Sequence, residues 1–310
     1  MFYILLVILS QLLLGLASFT EKLFAKKSGG YLPNNLLYSA GIAISSLFVY
    51  SWMAGFDLKP DGEIIYHALI YGCLYASSMT CLFVAYRRLN MVIYSVFGKS
   101  SSILVCIIGI TLLGDEPKIT TFVSVGLLFI SILLPLLEGR KKEGQKSSLF
   151  SLIICICAML IGTGVSLTIK SFSSLESYTP QRASAMYFYA NIVTFIFLAV
   201  AVLISTRKQK EGSRKSLLGI NGIGLRSTFL KVNPYLYILI PIVATVANIP
   251  TVINTVCIKN MDLSVYIVLS NAAALATLFF ISKVIFKEKS TLIEIIALLI
   301  SGAAGIISCL

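Results

Sequence analysis

The sequence predicts an all-α polytopic membrane protein, ten transmembrane helices arranged as two inverted five-helix repeats. Three observations carry this. Of 310 residues, 57% are hydrophobic and only 12% are charged, about half the charge of an ordinary soluble chain. The apolar residues come in blocks of about 20, each long enough as a helix to cross a ~30 Å hydrocarbon layer. The two halves also repeat one another. A secreted disulfide scaffold, a disordered chain and an ordinary soluble enzyme are thereby excluded. The net charge of +12 sits between the apolar blocks, not on faces of folded elements, so it reads as membrane topology and predicts no nucleic-acid partner.

The blocks run 2–24, 35–55, 64–88, 92–114 and 119–137, then 149–171, 183–205, 234–258, 263–286 and 290–309. The first lacks a basic stretch before its apolar run and exceeds the ~7–15 residues of a signal core, so it reads as a membrane helix. Breakers and charges fill the joints: Lys26 to Gly30, Asp57 to Glu63, Asp115 to Lys118 and Glu138 to Lys146. The longest joint is the basic stretch Thr206 to Asn233, a solvated cytoplasmic loop or one that attracts anionic lipid headgroups. Two joints are very tight, at Asn90-Met91 and Asn260-Met261-Asp262, which forces antiparallel neighbours. Loops after the odd-numbered helices hold 19 Lys and Arg, and loops after the even-numbered ones hold 5. Basic loops face the cytoplasm, which places both termini on the non-cytoplasmic side of a plasma membrane.

All seven cysteines lie in or at the end of apolar blocks, where a thiol behaves as a small hydrophobe. No zinc-type spacing exists, and His67 is the single histidine, so neither a metal nor a cofactor is expected.

A shift of 172 residues lays Tyr94-Ser95-Val96 on Tyr266-Ile267-Val268 and Glu116 on Glu288. A first repeat of 1–148 and a second of 149–310 follow. Five helices per repeat is an odd number, so the second copy must sit inverted, the arrangement of alternating-access transporters with a midplane substrate site.

A tight joint, a helix rich in small residues, then Gly114-Asp115-Glu116-Pro117 and a glycine-bearing helix resembles the EamA-type drug/metabolite transporters. Phe286-Lys287-Glu288-Lys289 holds the same place in the second half. The resemblance spans the chain through its 5+5 layout, although its local motif is only a few residues long. It implies a secondary transporter, often an exporter, with a central cavity lined by the first, third and fourth helices of each half. The four-helix multidrug exporters of the superfamily carry a membrane-embedded glutamate in helix 1. Here Gln11 stands at that depth and Glu21 lies ~15 Å further on, which argues against cation/proton exchange of that kind. Some EamA-type chains have a proline midway along helices 4 and 9, where this one has Ser102 and Ala274.

Lys99 is the sharpest single feature. It lies eight residues inside the fourth block, where a lysine costs on the order of 2.5–3.5 kcal/mol to insert. Ser95, Lys99, Ser102 and Cys106 share one helical face, a stripe that suits an anionic or zwitterionic substrate. Snorkelling or a fixed structural contact are the alternatives. Asn271 matches Lys99 in the second repeat, as cavity residue or as interhelical glue. Ser184, Tyr187, Asn191 and Thr194 form a second stripe. Asn248, Thr251 and Thr255 form a third, with Asn254 on another face. Pro250 between them frees the Val246 carbonyl, marking either a site or a simple kink. Gln11 shares a face with Gly15 and Ser18, a face suited to close helix approach, and is a cavity candidate. Tyr75, Tyr86, Tyr94 and Tyr266 are wall candidates, packing residues or interface anchors.

Other positions read as structural. Glu116 and Glu288 open the fifth and tenth helices, where a carboxylate favours the positive helix end. Ala297, Ser301 and Gly305 form a small-residue seam, suited to packing within a monomer or to a homodimer contact. The expectation is a secondary active transporter, an exporter, of a small organic metabolite. Its partners are that substrate, membrane lipid and a coupling proton if Lys99 loses its charge when the cavity empties. With no catalytic pair at depth, an enzyme is not expected. The alternative is a lipid-linked substrate translocator or a membrane scaffold.

Overall fold

The computed structural model describes residues 2–27, 32–86, 119–143, 149–210, 235–284 and 292–307, together with 101, 104, 105 and 108. Among these the chain is all-helical. The helices are α1 (Phe2–Lys27), α2 (Leu32–Met53), α3 (Gly62–Tyr86), α4 (Ile119–Glu143), α5 (Leu149–Ser173), α6 (Pro180–Lys210), α7 (Tyr235–Asn260), α8 (Leu263–Val284) and α9 (Leu292–Ile307). They occupy nine of the ten expected blocks. The fourth block, 92–114, lies outside the described residues apart from four positions, of which Ser101, Leu104, Val105 and Ile108 are helical.

Among the described residues six helices are long and apolar enough to cross a membrane: α1, α2, α3, α5, α6 and α7. The chain is therefore an integral membrane protein. The apolar cores of α4, α8 and α9 are shorter over the described residues, at Ile119–Ser131, Val265–Ala274 and Ile295–Ala304. Inside hydrocarbon a helix is the only open structure that satisfies its own backbone, which is why apolar blocks and helices coincide.

Two helices outrun the blocks that predict them. α4 continues through Glu138 to Glu143 and α6 through Thr206 to Lys210, into stretches whose charges read as loop. The physical reason is the helix dipole. Both extensions are rich in basic residues, Arg140, Lys141 and Lys142 in α4 and Arg207, Lys208 and Lys210 in α6, a residue type that favours the negative C-terminal end of a helix.

Local chemistry sets the ends elsewhere. α2 stops where Gly55 takes φ 65°, and Phe56 N donates back to Ser51 O at 2.9 Å, a glycine-terminated C-cap. Asp61 caps α3, accepting from Ile64 N at 2.8 Å. Thr179 caps α6, accepting from Arg182 N at 3.1 Å, and Pro180 sits at the first helical position, where its missing N–H costs nothing. Between α7 and α8 only Met261 and Asp262 intervene, so the tight joint read from Asn260-Met261-Asp262 is present.

The chain forms two compact units. The first comprises residues 1–16, 89–178 and 249–310; the second comprises 17–88 and 179–248. Each draws on both sequence halves. In the first, Val7, Leu128, Cys257, Leu263, Tyr266, Val268 and Ala304 form one buried cluster. In the second, Leu36, Ala40, Ala76, Leu198 and Val202 form another, and Phe24, Tyr38 and Ile240 a third.

Candidate functional site

In the first unit the register of α1 is set by three contacts. Cys257 Sγ on α7 reaches Tyr3 O at 3.9 Å, and Ser10 Oγ donates to Asn254 Oδ1 at 2.6 Å. The order of these pairs makes α1 and α7 antiparallel. A Cβ added to Gly15 would collide with Thr277 Cγ2 on α8, while Val7 packs in the cluster holding Leu263 to Leu269. α1 and α8 therefore run parallel, and glycine at 15 is what lets them approach so closely.

This register brings four polar side chains to one depth. Ser10 and Gln11 lie eight and nine residues into α1 and Asn271 lies eight into α8. Asn254 is six residues from the end of α7. At ~1.5 Å per residue all are roughly 9–14 Å from their helix ends, towards the middle of a ~30 Å layer. Ser10 Oγ is shared between Asn254 Oδ1 and Val7 O, the latter at 2.8 Å. Gln11 and Asn271 make no hydrogen bond among the described residues. The residues are only 6% and 5% exposed, but their amide atoms are not among the fully buried unpaired polar atoms, so the polar tips keep some contact with accessible space. A carboxamide carries two donors and an acceptor, and burying one unpaired is costly in hydrocarbon.

Ser101, from the fourth block, is buried against α5. Thr163 Oγ1 donates to Ser101 O at 3.4 Å, and Gly162 passes so close that an added Cβ would lie 3.1 Å from Ser101 Oγ. Tyr266 belongs to the buried core of the same unit. Pro250 is buried in α7, one residue after the point where that helix passes from one unit to the other.

Tyr187, Asn191, Thr194 and Asn248 lie in the second unit and are engaged there. Tyr187 is fully buried, stacked on Tyr50 at 5.3 Å and edge-on to Tyr71 at 5.2 Å. Asn191 Nδ2 donates to Tyr187 O at 2.8 Å, and Thr194 Oγ1 to Gly72 O at 3.3 Å. Asn248 Nδ2 donates to Ser46 Oγ at 2.6 Å, and Ser46 Oγ donates on to Ile42 O at 2.7 Å. The polar stripe of α6 thus packs against α2 and α3. Lys99, Ser95, Ser102, Glu116 and Glu288 lie outside the described residues. So does the side chain of Ser301 and the surroundings of Gly305, which is within α9.

Two features of the joints are not legible in the sequence. Arg182, at the start of α6, clamps the α2–α3 connection through Asp61 at 2.6 Å and Glu63 at 3.1 Å. Tyr189 O–H adds a bond to Leu58 O at 2.6 Å. In the first unit Lys259 stands 4.4 Å over the Tyr178 ring, a cation–π contact. The buried Tyr178 hydroxyl has no partner among the described residues. Burial, with the Cys257 sulfur as a lesser cause, pushes that phenol up to about 12. Ser10 and Ser46, the partners of Asn254 and Asn248, also escaped the sequence reading. The signal for Ser10 is its place beside Gln11; Ser46 offers none.

No protein-family model and no curated protein sequence matches the chain. The fold nonetheless recurs: a crystal structure of another protein superposes with a TM-score of 0.66, at 15% identity. The match covers 99% of this chain and 95% of that one, a likeness of fold alone.

Proposed function

We propose that the protein is a secondary active transporter, an exporter, that moves a small polar metabolite by alternating access. It would hold ten spans as two inverted repeats in the plasma membrane, with both termini on the non-cytoplasmic side, as the basic-residue bias argues. The observation that carries the reading is the pair Gln11 and Asn271. Unpaired carboxamides at mid-membrane depth are expensive, and such groups mark substrate pathways. Each offers donors and acceptors, so a solute bearing hydroxyl, amide, amine or carboxylate groups satisfies them. Lys99, matched to Asn271 by the repeat, tilts the substrate towards anionic or zwitterionic species and is the residue on which proton coupling would turn.

The passage points of the chain support alternating access. α1 and α7 run as continuous helices from one unit to the other, at Leu16/Ala17 and Asn248/Ile249. Gly15 and Pro250 stand beside these points, and proline removes the bond to the Val246 carbonyl, so both helices are weakest where rocking would bend them. The resemblance to EamA-type transporters, the nine helices in expected places and the shared fold are consistent with this.

The test is counterflow and pH-gradient-driven uptake by the purified chain in proteoliposomes, screened against pools of polar metabolites. At least one pool should accumulate, and Asn271→Leu or Gln11→Leu should cut the flux more than tenfold in protein no less stable to heat than the wild type. Wild-type flux that is indifferent to both substitutions would sink the reading. Movement of a labelled lipid-linked substrate alone would replace it with the translocator alternative.

A further inference from the structure

One face of α6 is buried along its membrane span, at Thr194, Leu198 and Val202, and the other is open, with Ile196, Val200, Leu203 and Ile204 between 48% and 58% exposed. Ile196, Val200 and Leu203 follow a spacing of i, i+4 and i+7, and the next two positions in that row are Arg207 and Lys210. Lys208 follows Ile204 by one turn, at the edge of the same face. The helix is unbroken to Lys210, so its register carries an open aliphatic row directly into three cations. No acidic residue lies between Ile204 and Lys210. α4 repeats the pattern in the other unit. Its buried face holds Ser124, Leu128 and Ser131, and Phe122 and Phe129 are open. Arg140 lies eighteen residues, or five turns, beyond Phe122 and so falls on the open row. There Glu138 and Glu143 offset two of the three cations, leaving +1 against the +3 of Arg207, Lys208 and Lys210.

We infer that the cationic end of α6 binds the headgroup of an anionic phospholipid whose acyl chain lies along the open row of the helix. Depth, charge and register carry this. The apolar span of α6 closes at Ile204, and Arg207 and Lys210 stand three and six residues further on, about 4–9 Å along the axis. The headgroup layer fills about 5–8 Å on each side of a ~30 Å hydrocarbon core, so these cations fall at the level of the lipid phosphates. Lysine and arginine at that level attract anionic lipid, and a guanidinium matches two phosphate oxygens at once. Because the row is continuous, one molecule satisfies both parts of it, its chain covering Val200 and Leu203 and its phosphate meeting Arg207. A second copy docked through this face about a two-fold axis along the membrane normal would set like cations against one another. Charge therefore selects lipid over self-contact. The inference needs only that the chain lies in a membrane, and it holds whatever the protein transports.

The test uses the full chain in vesicles of phosphatidylcholine and phosphatidylglycerol, with bromine on the acyl chains of one lipid or the other. Leu203→Trp, in a Trp52→Phe background that removes the single tryptophan, reports which lipid covers the row. Wild-type Trp52, 69% exposed on α2, is the reference. It stands beside the joint that Arg182 holds at the start of α6, away from the cationic end. The preference for brominated phosphatidylglycerol over brominated phosphatidylcholine should be at least threefold greater at position 203 than at Trp52. Salt at about 1 M, where the Debye length is about 3 Å, should remove most of that excess, a result that needs no charge variant to fold. Arg207→Gln/Lys208→Gln/Lys210→Gln should abolish it, and Arg140→Gln/Lys141→Gln should leave it intact. Equal preferences at the two positions, or an excess that survives both salt and the triple variant, would overturn the inference. So would weak quenching by either lipid in proportion to a cross-linked dimer, which gives the row to a second copy. Displacement of phosphatidylglycerol by inorganic phosphate, beyond that caused by chloride of the same ionic strength, would overturn it in favour of a soluble anion.

Discussion

In the unit built around α2, α3 and α6, Asn248 bonds Ser46 and Ser46 bonds Ile42. In the unit holding the start of α1 and all of α8, Gln11 and Asn271 are as deeply buried and bond nothing among the described residues. The same residue type at similar burial is thus spent on two tasks. A satisfied amide is interhelical glue, and its removal costs stability. One without a protein partner leaves its donors and acceptor open to whatever else reaches it. Close helix approaches differ in the same way. At Gly72 an added Cβ would lie 2.7 Å from Ala190 O, a backbone atom, whereas at Gly15 it would strike Thr277 Cγ2, a side-chain methyl. One unit is locked by its backbone and the other by a replaceable side chain.

The largest expected effects come from those glycines. Gly72→Ala should destabilise by about 1–3 kcal/mol, the usual range for overpacking, and Val193→Ala should not restore it because the Ala190 carbonyl remains. Gly15→Ala should cost a similar amount, with at least half recovered in Gly15→Ala/Thr277→Ala. Thermal unfolding of the four variants decides this, and equal rescue in both units would erase the contrast.

Next in size is the amide comparison. Asn248→Leu should lose about 0.6–1.7 kcal/mol, the range for hydrogen bonds between membrane helices. Asn271→Leu should lose none and raise the midpoint slightly, while abolishing solute flux. A matched loss of stability at both positions would show Asn271 to be glue as well.

Smaller effects belong to the joints. Arg182→Met removes two ion pairs whose partners are 40% and 51% exposed, so a loss of about 0.5–1 kcal/mol that shrinks at high salt is expected. Smallest is Tyr178→Phe. It deletes a buried hydroxyl with no partner among the described residues and keeps the ring under Lys259, so stability at neutral pH should change by less than ~1 kcal/mol, and upwards. The phenol of Tyr178 is raised from 10 to about 12. Its contribution is fully present below pH 10 and is lost as pH climbs through the folded value. The phenylalanine variant should therefore hold its midpoint better than the wild type between pH 10 and 12 in a denaturation series.

Much of the fold was legible because each membrane helix announces itself locally. The start of α4 at Ile119, of α5 at Leu149 and of α8 at Leu263 fall on the first residues of their apolar blocks, since transfer into hydrocarbon depends on a run of ~20 neighbours and on little else. The ends were less legible. α6 runs to Lys210 because the dipole prolongs a helix beyond the hydrophobic stretch, and hydropathy is blind to that. Among the candidates, Gln11 and Asn271 stood out as polar interruptions, but so did Tyr187, Asn191 and Asn248, which the fold uses for packing.

The sequence by itself determined that this chain lies in a membrane, that it does so as helices, and where those helices begin, because these depend on residues adjacent in the chain. Only the tertiary structure decided which buried polar groups are paired. Ser10 and Asn254 are 244 residues apart, and Ser46 and Asn248 are 202 apart. A hydrogen bond is satisfied or left open by an atom about 3 Å away, and no local pattern records which distant helix supplies it.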